Sequence, residues 1–581
     1  TAATRLFIPN HKGSAMKPVL YRPLAAFTLL ALAACGNQRA PESQVAKVSG
    51  VPAEAMDRAE VMYKAEPSSA SSKRSGVTLF GQFRGKAMSA AMMGSRNSYI
   101  AAEARPLRTD TERYQKQPEN PVKAVAQEPV STFSIDVDTG SYANVRRFLN
   151  DGGLPPEDAV RIEEIINYFP YNYPLPTGTH PFAIHTQTVD SPWQPEAKLI
   201  KIGIQAQDLA KKELPPANLV FLVDVSGSMD EPDKLPLVKK TLRILTEQLR
   251  PQDKVTLITY ADGEALVLPP TSGDNKDEIL RAINKLQAGG STAGESALKM
   301  AYEQAQKAYV KNGINRILLA TDGDFNVGVA DTETLKSMVA EKRKSGISLS
   351  TLGFGTDNYN EEMMEQIADA GDGNYSYIDS EKEAKKVLQH QLTSTLATVA
   401  QDVKIQVEFN PATVKEYRLV GYTNRTLRNE DFNNDKVDAG DIGSGHSVTA
   451  LYEIIPQGKQ GWLNDSRYQK APAASGGKNE YAFVKVRYKL PGQSTSKLIE
   501  QAVPSVSIPL AQADEDTRLA LAAASYAQAL RGGEYNGKLD WDAIEQMAKQ
   551  AKGKDPFGLQ EEFVELVEIA KSLSSKRVQE Q

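Results

Sequence analysis

Between residues 217 and 398 two kinds of pattern alternate along the chain. Residues 219–223 are a continuous apolar run, as in a strand covered on both faces. Leu235, Val238, Leu242, Leu245 and Leu249 then fall on one face of a helix. Strand patterns at 255–260 and 265–268 flank the turn Asp262-Gly263, and helical stretches follow at 276–286 and 295–310. Next come strand 316–320, helix 334–344, strand 348–354, helix 361–370 and strand 375–378. A last helix opens at Ser380, with Glu383 three residues on as a capping box. Such alternation predicts an α/β domain, a parallel, doubly wound sheet with helices on both faces. Its ligands belong beyond the carboxyl ends of the strands, where strand order reverses.

The flanks carry a different period. Residues 132–137 alternate as a strand, 142–149 read as helix, and Val160, Ile162, Ile165, Ile166 and Phe169 mark an amphipathic helix stopped by Pro170. Strand-like runs follow at 182–189 and 198–205. Past Asp402 the period is 2, at 403–409, 448–455, 481–488 and 503–508, with Gly, Asn and Pro loops between. The strands before 217 have no partners of their own. The economical arrangement is one antiparallel β-sandwich built from both flanks, with the α/β domain inserted into it. Helices at 517–530, 541–549 and 560–573 finish the chain. The expected divisions are an amino-terminal associated domain at 129–180, sandwich strands at 181–216, the inserted domain at 217–398, sandwich at 399–511 and a helical region at 512–581.

Ahead of these, residues 35–128 are rich in Ala, Ser, Gln, Pro and alternating charge, and hold neither period. They read as a disordered linker, whose r.m.s. span as a coil is ~50–60 Å. Met16, Lys17 and Arg22 precede an apolar run at 24–34 that ends Leu32-Ala33-Ala34-Cys35-Gly36. A basic start, a short apolar core and small residues before the cut make 16–34 a signal peptide. The run falls short of the ~20 apolar residues a spanning helix needs. Residues 1–15 read as an upstream extension. Leu32-Ala33-Ala34-Cys35 resembles the bacterial lipobox. That resemblance implies a lipidated Cys35 as the first mature residue, and Gly36 after it favours the outer membrane by analogy with enterobacterial lipoproteins. The expected location is the bacterial cell envelope, lipid-anchored, facing periplasm or surface.

Composition removes several function classes. Of 581 residues 40% are hydrophobic, enough for real cores, so wholesale disorder is excluded. Sixty-eight basic residues stand against 73 acidic ones, net −5, without the basic excess that gripping nucleic acid requires. His11, His180, His185, His390 and His446 are scattered and no HExxH or CxxC occurs, which argues against the usual zinc chemistry. Cys35 is the only cysteine, so no intramolecular disulfide forms.

Three segments at predicted strand ends carry hydroxyls and carboxylates. They are Asp224-Val225-Ser226-Gly227-Ser228, Gly289-Gly290-Ser291-Thr292-Ala293 and Thr321-Asp322-Gly323-Asp324. Mg²⁺ is hard, takes six oxygens near-octahedrally and keeps several waters. The hydroxyls of Ser226, Ser228 and Thr292, with the carboxylates of Asp224 and Asp322 acting largely through water, suit that demand. Mostly neutral direct ligands would leave the cation's charge uncompensated, able to attract an outside carboxylate.

This set resembles the metal-ion-dependent adhesion site of von Willebrand factor type A domains, over about 217–398, at all five positions Asp224, Ser226, Ser228, Thr292 and Asp322. The resemblance implies a Rossmann-like head that binds Mg²⁺, or Mn²⁺ or Ca²⁺, and a protein partner presenting Asp or Glu. It implies no enzyme and no small-molecule substrate. The flanks resemble a bacterial lipoprotein family with this domain, through residues 131–139 with Arg161-Ile162-Glu163-Glu164, and through residues 438–442 with 446–452. The leading expectation is an envelope-anchored, adhesion-type binding protein. An assembly or chaperone-associated envelope factor is the alternative.

Other motifs compete less well. Asp138-Thr139-Gly140-Ser141 mimics an aspartic-protease motif, a remote hydrolase reading, but that chemistry needs a second carboxylate and no second such motif occurs. Residues 532–538 have P-loop spacing, yet Leu539 stands where Ser or Thr must bind the metal. Gly289-Gly290-Ser291-Thr292-Ala293 nearly spells a hydrolase elbow but ends in Ala. Asp431-Phe432-Asn433-Asn434-Asp435 begins like a calcium loop, but Lys436 replaces the required Gly. Asp230, Glu231 and Asp233 read either as a second cation site or as a solvated helix start whose acids complement the helix dipole.

Overall fold

Ala217–Asp224 is buried at every position and forms the centre of a six-stranded sheet. Across the sheet the order is Tyr375–Ile378, Ser348–Phe354, Ile314–Thr321, Ala217–Asp224, Lys254–Tyr260 and Glu264–Ser272. All neighbours are parallel except the last two, which make an antiparallel hairpin. Period 2 along the central strand sends alternate side chains to opposite faces. Leu219, Phe221 and Val223 pack with Leu235, Val238, Leu242 and Leu245 of helix Leu235–Gln248. Val220 and Leu222 pack with Ala297, Leu298, Leu335, Val339 and Ile367 on the other side. This is the doubly wound domain that the alternation predicts. Strand order reverses beside Ala217–Asp224, which puts the crevice at its carboxyl end, next to that of Ile314–Thr321.

The structure is a computed structural model that describes residues 112–580, apart from 137, 293, 324–331, 357–358, 391–393, 395, 465–476, 478 and 538. The expected signal peptide at 16–34, Cys35, the upstream residues 1–15 and most of the expected linker lie outside the described residues. Among the described residues no helix is long and apolar enough to cross a membrane.

Two antiparallel sheets face each other beside the inserted domain. One has the order Lys123–Ala124, Val414–Val420, Ser447–Pro456, Lys198–Ala206, Phe182–Asp190. The other has the order Thr426–Leu427, Val130–Ser134, Thr398–Phe409, Glu480–Lys489, Lys497–Pro504, with Ile442–Gly443 paired to Thr398–Phe409. Ile200, Ile202, Ile204, Val448 and Tyr452 of the first meet Phe133, Ile405, Val407, Val484 and Val486 of the second in one core. The chain leaves the sandwich after Ala206 and returns at Thr398, so residues from both flanks close it.

Three expectations need correcting. Residues 129–180 do not stand apart: Val130–Ser134 is a sandwich strand, and helices Gly140–Asn150 and Ile162–Asn167 share a core with the terminal helices. There Tyr142, Val145, Ile165 and Phe169 pack with Leu519, Tyr526, Phe563 and Val567. The amphipathic faces at the two ends complete one another, which sequence distance hides. Secondly, residues 112–128, expected as part of the linker, are held by defined contacts. Lys123–Ala124 pairs with Tyr417 and Glu416, Asn120 Nδ2 donates to Gly421 O at 2.6 Å, and Glu112 accepts from Arg147 Nη2 at 2.7 Å. These contacts satisfy an irregular segment's polar groups one at a time, so no period announces them. Thirdly, Ser380 does cap its helix, accepting from Glu383 N at 3.2 Å, but Glu383's carboxylate turns to Arg146 Nη2 and the Tyr168 hydroxyl, each at 2.7 Å.

Candidate metal centre

The site grows from the end of the buried central strand. Asp224 is its last residue and has no exposed surface. The turn beyond is held by Asp224 Oδ1, which accepts from Ser226 N at 2.9 Å. That leaves the Ser226 and Ser228 hydroxyl oxygens 3.1 Å apart. Ser226 is buried, whereas Ser228 and Thr292 are half-buried.

Two backbone bonds join the second loop to the first. Gly227 N donates to Gly290 O at 2.9 Å and Gly289 N donates to Val225 O at 2.8 Å. Gly290 has φ +88°, and a Cβ there would lie 2.7 Å from the Asp262 carboxylate, so only glycine fits both constraints. Ser291 anchors the next step, its N–H and hydroxyl both donating to Asp262 Oδ1 at 2.7 Å. Thr292 follows directly in the chain, next to these fixed neighbours.

The third loop continues strand Ile314–Thr321. Thr321 Oγ1 donates to Asp224 Oδ2 at 2.9 Å, so both oxygens of Asp224 are aligned by hydrogen bonds. Asp322 has no exposed surface and meets the buried Lys234 ammonium at 3.0 Å. Asp324 lies outside the described residues. Burial pushes the Asp224 carboxyl up to about 6, with Asp322 adding to the rise and the Ser226 and Thr321 donors opposing it.

Sequence reasoning missed Lys234 and Thr321. Thr321 stands inside a segment already singled out. Lys234 left a signal too: it occupies the N-cap of helix Leu235–Gln248, where a cation opposes the helix dipole and Ser, Thr, Asp or Asn is the usual choice. A buried carboxylate reaching that ammonium explains its presence.

The competing motifs resolve into structural features. Asp138 is 4% exposed; one oxygen accepts from Tyr375 N at 2.9 Å and the other faces Arg425 Nη2 at 3.4 Å, so both its oxygens are engaged within the fold. Gly532 is the left-handed cap ending helix Glu515–Arg531, so the P-loop spacing follows a helix rather than a strand. Asp431 is held by Arg428 at 2.9 and 3.0 Å. Asp230 is exposed, and Asp230, Glu231 and Asp233 do not gather ligand oxygens as a triad among the described residues.

A doubly wound sheet with hydroxyl- and carboxylate-bearing loops at its switch point is the arrangement expected of a von Willebrand factor type A domain, and the comparisons with known proteins agree. Residues 218–391 match the family described as von Willebrand factor type A domain, residues 108–201 one described as von Willebrand factor, and residues 394–573 one described as uncharacterized protein YfbK, C-terminal. The chain is 50% identical over 472 residues to the uncharacterized protein YfbK of Escherichia coli (strain K12), covering 79% of this chain and 81% of that protein. The chain belongs to the YfbK family of von Willebrand factor type A proteins. It is also 30% identical over 198 residues to the uncharacterized protein sll0103 of Synechocystis sp., covering 34% of this chain and 46% of that protein. A solved von Willebrand factor type A protein from Catenulispora acidiphila aligns at 17% identity and TM-score 0.37, covering 66% of this chain and 89% of that one.

Proposed function

We propose that the chain is an envelope-anchored binding protein whose head takes a divalent cation, Mg²⁺ for preference, and uses it to hold an acidic side chain of a protein partner. The observation that carries this reading is the joining of three loops at one rim, with two adjacent hydroxyls and two buried carboxylates among them. The donors are oxygens only, and the hydroxyls are neutral, which suits a hard cation that keeps part of its water. Ser226, Ser228 and Thr292 would hold the ion directly, with Asp224 and Asp322 acting largely through water. Once bound, the ion would supply a Lewis-acidic position for a foreign oxygen.

Lys234 adds an electrostatic argument. Among the described residues, two carboxylates and one ammonium leave the metal-free site with one net negative charge, which repels an acidic partner. A dication reverses that to one net positive charge, in surroundings where burial weakens solvent screening. Metal dependence and preference for a carboxylate thus arise from the same four groups.

Cys35 is the anchor in this reading. Each buried acyl CH₂ contributes ~0.8 kcal/mol, so more than one chain gives stable attachment.

The test is affinity capture from envelope extracts in Mg²⁺ and then in chelator, beside calorimetry of Mg²⁺ binding. Capture lost on chelation, and Mg²⁺ binding lost in Asp224→Ala with the fold retained, support the reading. Unchanged Mg²⁺ affinity in Asp224→Ala refutes it. Cys35→Ala should move the protein into the soluble periplasmic fraction, and persistence in the membrane pellet would refute the anchor.

A further inference from the structure

A second gathering of oxygen ligands lies where three parts of the chain meet. Asp136 follows strand Val130–Ser134 of the sandwich, Glu164 sits on helix Ile162–Asn167, and Glu365 on helix Glu361–Ala370 of the inserted domain. One carboxylate oxygen from each lies within 4.8 Å of the other two, and all three residues are at most 5% exposed.

Charge around them does not balance. Asp138 and Glu361 are buried beside the three, so five buried acids face two guanidiniums. Arg425 reaches Asp136 at 3.1 Å, Glu365 at 3.2 Å and Asp138 at 3.4 Å, and is shared with the exposed Asp369 at 2.6 Å. Arg161 reaches Glu365 at 2.9 Å, Glu361 at 3.6 Å and Glu164 at 3.9 Å.

Glu361 is the telling residue. It has no exposed surface, and neither carboxylate oxygen has a hydrogen-bond partner among the described residues. It nevertheless points into the cluster, facing the same Arg161 nitrogen that Glu365 binds. Arg161 Nε and Nη1 are also buried without a hydrogen-bond partner there. A carboxylate so placed needs a proton or more positive charge.

We infer that Asp136, Glu164 and Glu365 form a calcium site, with Glu361 behind it, that fastens the inserted domain to the amino-terminal flank. An anionic, all-oxygen set selects a hard dication. Ca²⁺ takes 6–8 oxygens at about 2.3–2.6 Å in a flexible shell, whereas Mg²⁺ demands a near-ideal octahedron, and three oxygens gathered within 4.8 Å of one another can share one such ion. Calcium also accepts irregular geometry, which suits ligands from three unrelated elements. A polar cavity of about 250 Å³, lined by Asp369, Asn424 and Arg425 among others, adjoins the cluster on the Arg425 side and offers a path for entry. None of these residues belongs to the loops of the first site, so the inference stands apart from the proposed function.

The experiment uses the full chain carrying Asp224→Ala, which silences the first site, stripped with chelator and titrated calorimetrically with CaCl₂. One Ca²⁺ per chain and a melting temperature raised by several degrees are expected. Adding Glu365→Gln should lower the affinity at least tenfold. Because that change also touches Arg161 and Arg425, Tb³⁺ luminescence excited through tyrosine is measured on the chain with Asp224→Ala alone, and Ca²⁺ should displace it. Absence of Ca²⁺ uptake by the chain with Asp224→Ala overturns the site, as does uptake unaffected by Glu365→Gln, or uptake of Mg²⁺ in preference to Ca²⁺.

Discussion

Replacing Lys234 by methionine removes one charge from the candidate metal centre and little else. The methionine stem keeps its place over Gly355, where φ is +74° and any side chain would run into the Lys234 methylenes. What goes is the ammonium 3.0 Å from Asp322, a carboxylate with no exposed surface. Removing one partner of a buried pair costs ~3–5 kcal/mol, because the remaining charge keeps its desolvation penalty. In a domain of roughly 150–250 residues each kcal/mol moves the melting temperature by ~2–4 °C, so the loss in chelator should be ~6–20 °C. Mg²⁺ acts in the opposite direction. At a hundredfold excess over its dissociation constant it adds ~2.7 kcal/mol to the folded state of the natural protein. It should bind more tightly still to Lys234→Met, where two uncompensated carboxylates await it, so the gap narrows. Partner capture should respond inversely, since the metal-loaded variant carries no net positive charge and attracts an acidic side chain less. Scanning calorimetry of both proteins, in chelator and in Mg²⁺, reads the first two effects. Equal melting temperatures in chelator would refute the idea that Lys234 offsets Asp322.

Other expectations follow from the same geometry. The Asp224 carboxyl is held at about 6 by burial, so protons compete with the metal below that value. Mg²⁺ affinity should be flat above pH 7 and fall about tenfold per unit below 6. The metal-free domain should move the other way: its folded state holds the Asp224 proton more tightly than the unfolded chain, so stability rises as pH drops from about 6 towards 3.8. Calorimetric titrations and melts between pH 7.5 and 4.5 check both signs. Gly290→Ala should cost ~1–2 kcal/mol for the left-handed backbone and should displace the second loop from Asp262, weakening Mg²⁺ binding. Gly289→Ala meets nothing within 4 Å and serves as the control. Arg418→Met leaves Glu453 buried without the guanidinium now 2.8 Å away, so the sandwich should lose ~3–5 kcal/mol while Mg²⁺ affinity is unchanged.

Much of the architecture is written in local pattern. A strand covered on both faces must be apolar throughout, and a helix lying on a sheet must repeat its apolar face, so the alternation from 217 to 398 announces the inserted domain. The residues closest to the carboxyl end of such a strand occupy the rim by construction, which is why Asp224, Ser226 and Asp322 could be named from their neighbours alone. The glycines Gly289 and Gly290 likewise mark a tight loop before any contact is known.

Tertiary structure decided what depends on segments distant along the chain. That Thr321 aligns Asp224 and Lys234 offsets Asp322 follows from strands 217–224 and 314–321 lying side by side, which spacing does not express. The shared core of residues 140–167 and 515–573, and the convergence of Asp136, Glu164 and Glu365, arise the same way. Sequence periodicity records which side of an element avoids water, because solvent acts on each residue locally. It does not record which other buried face or charge meets that side, because that choice is made only when the whole chain closes.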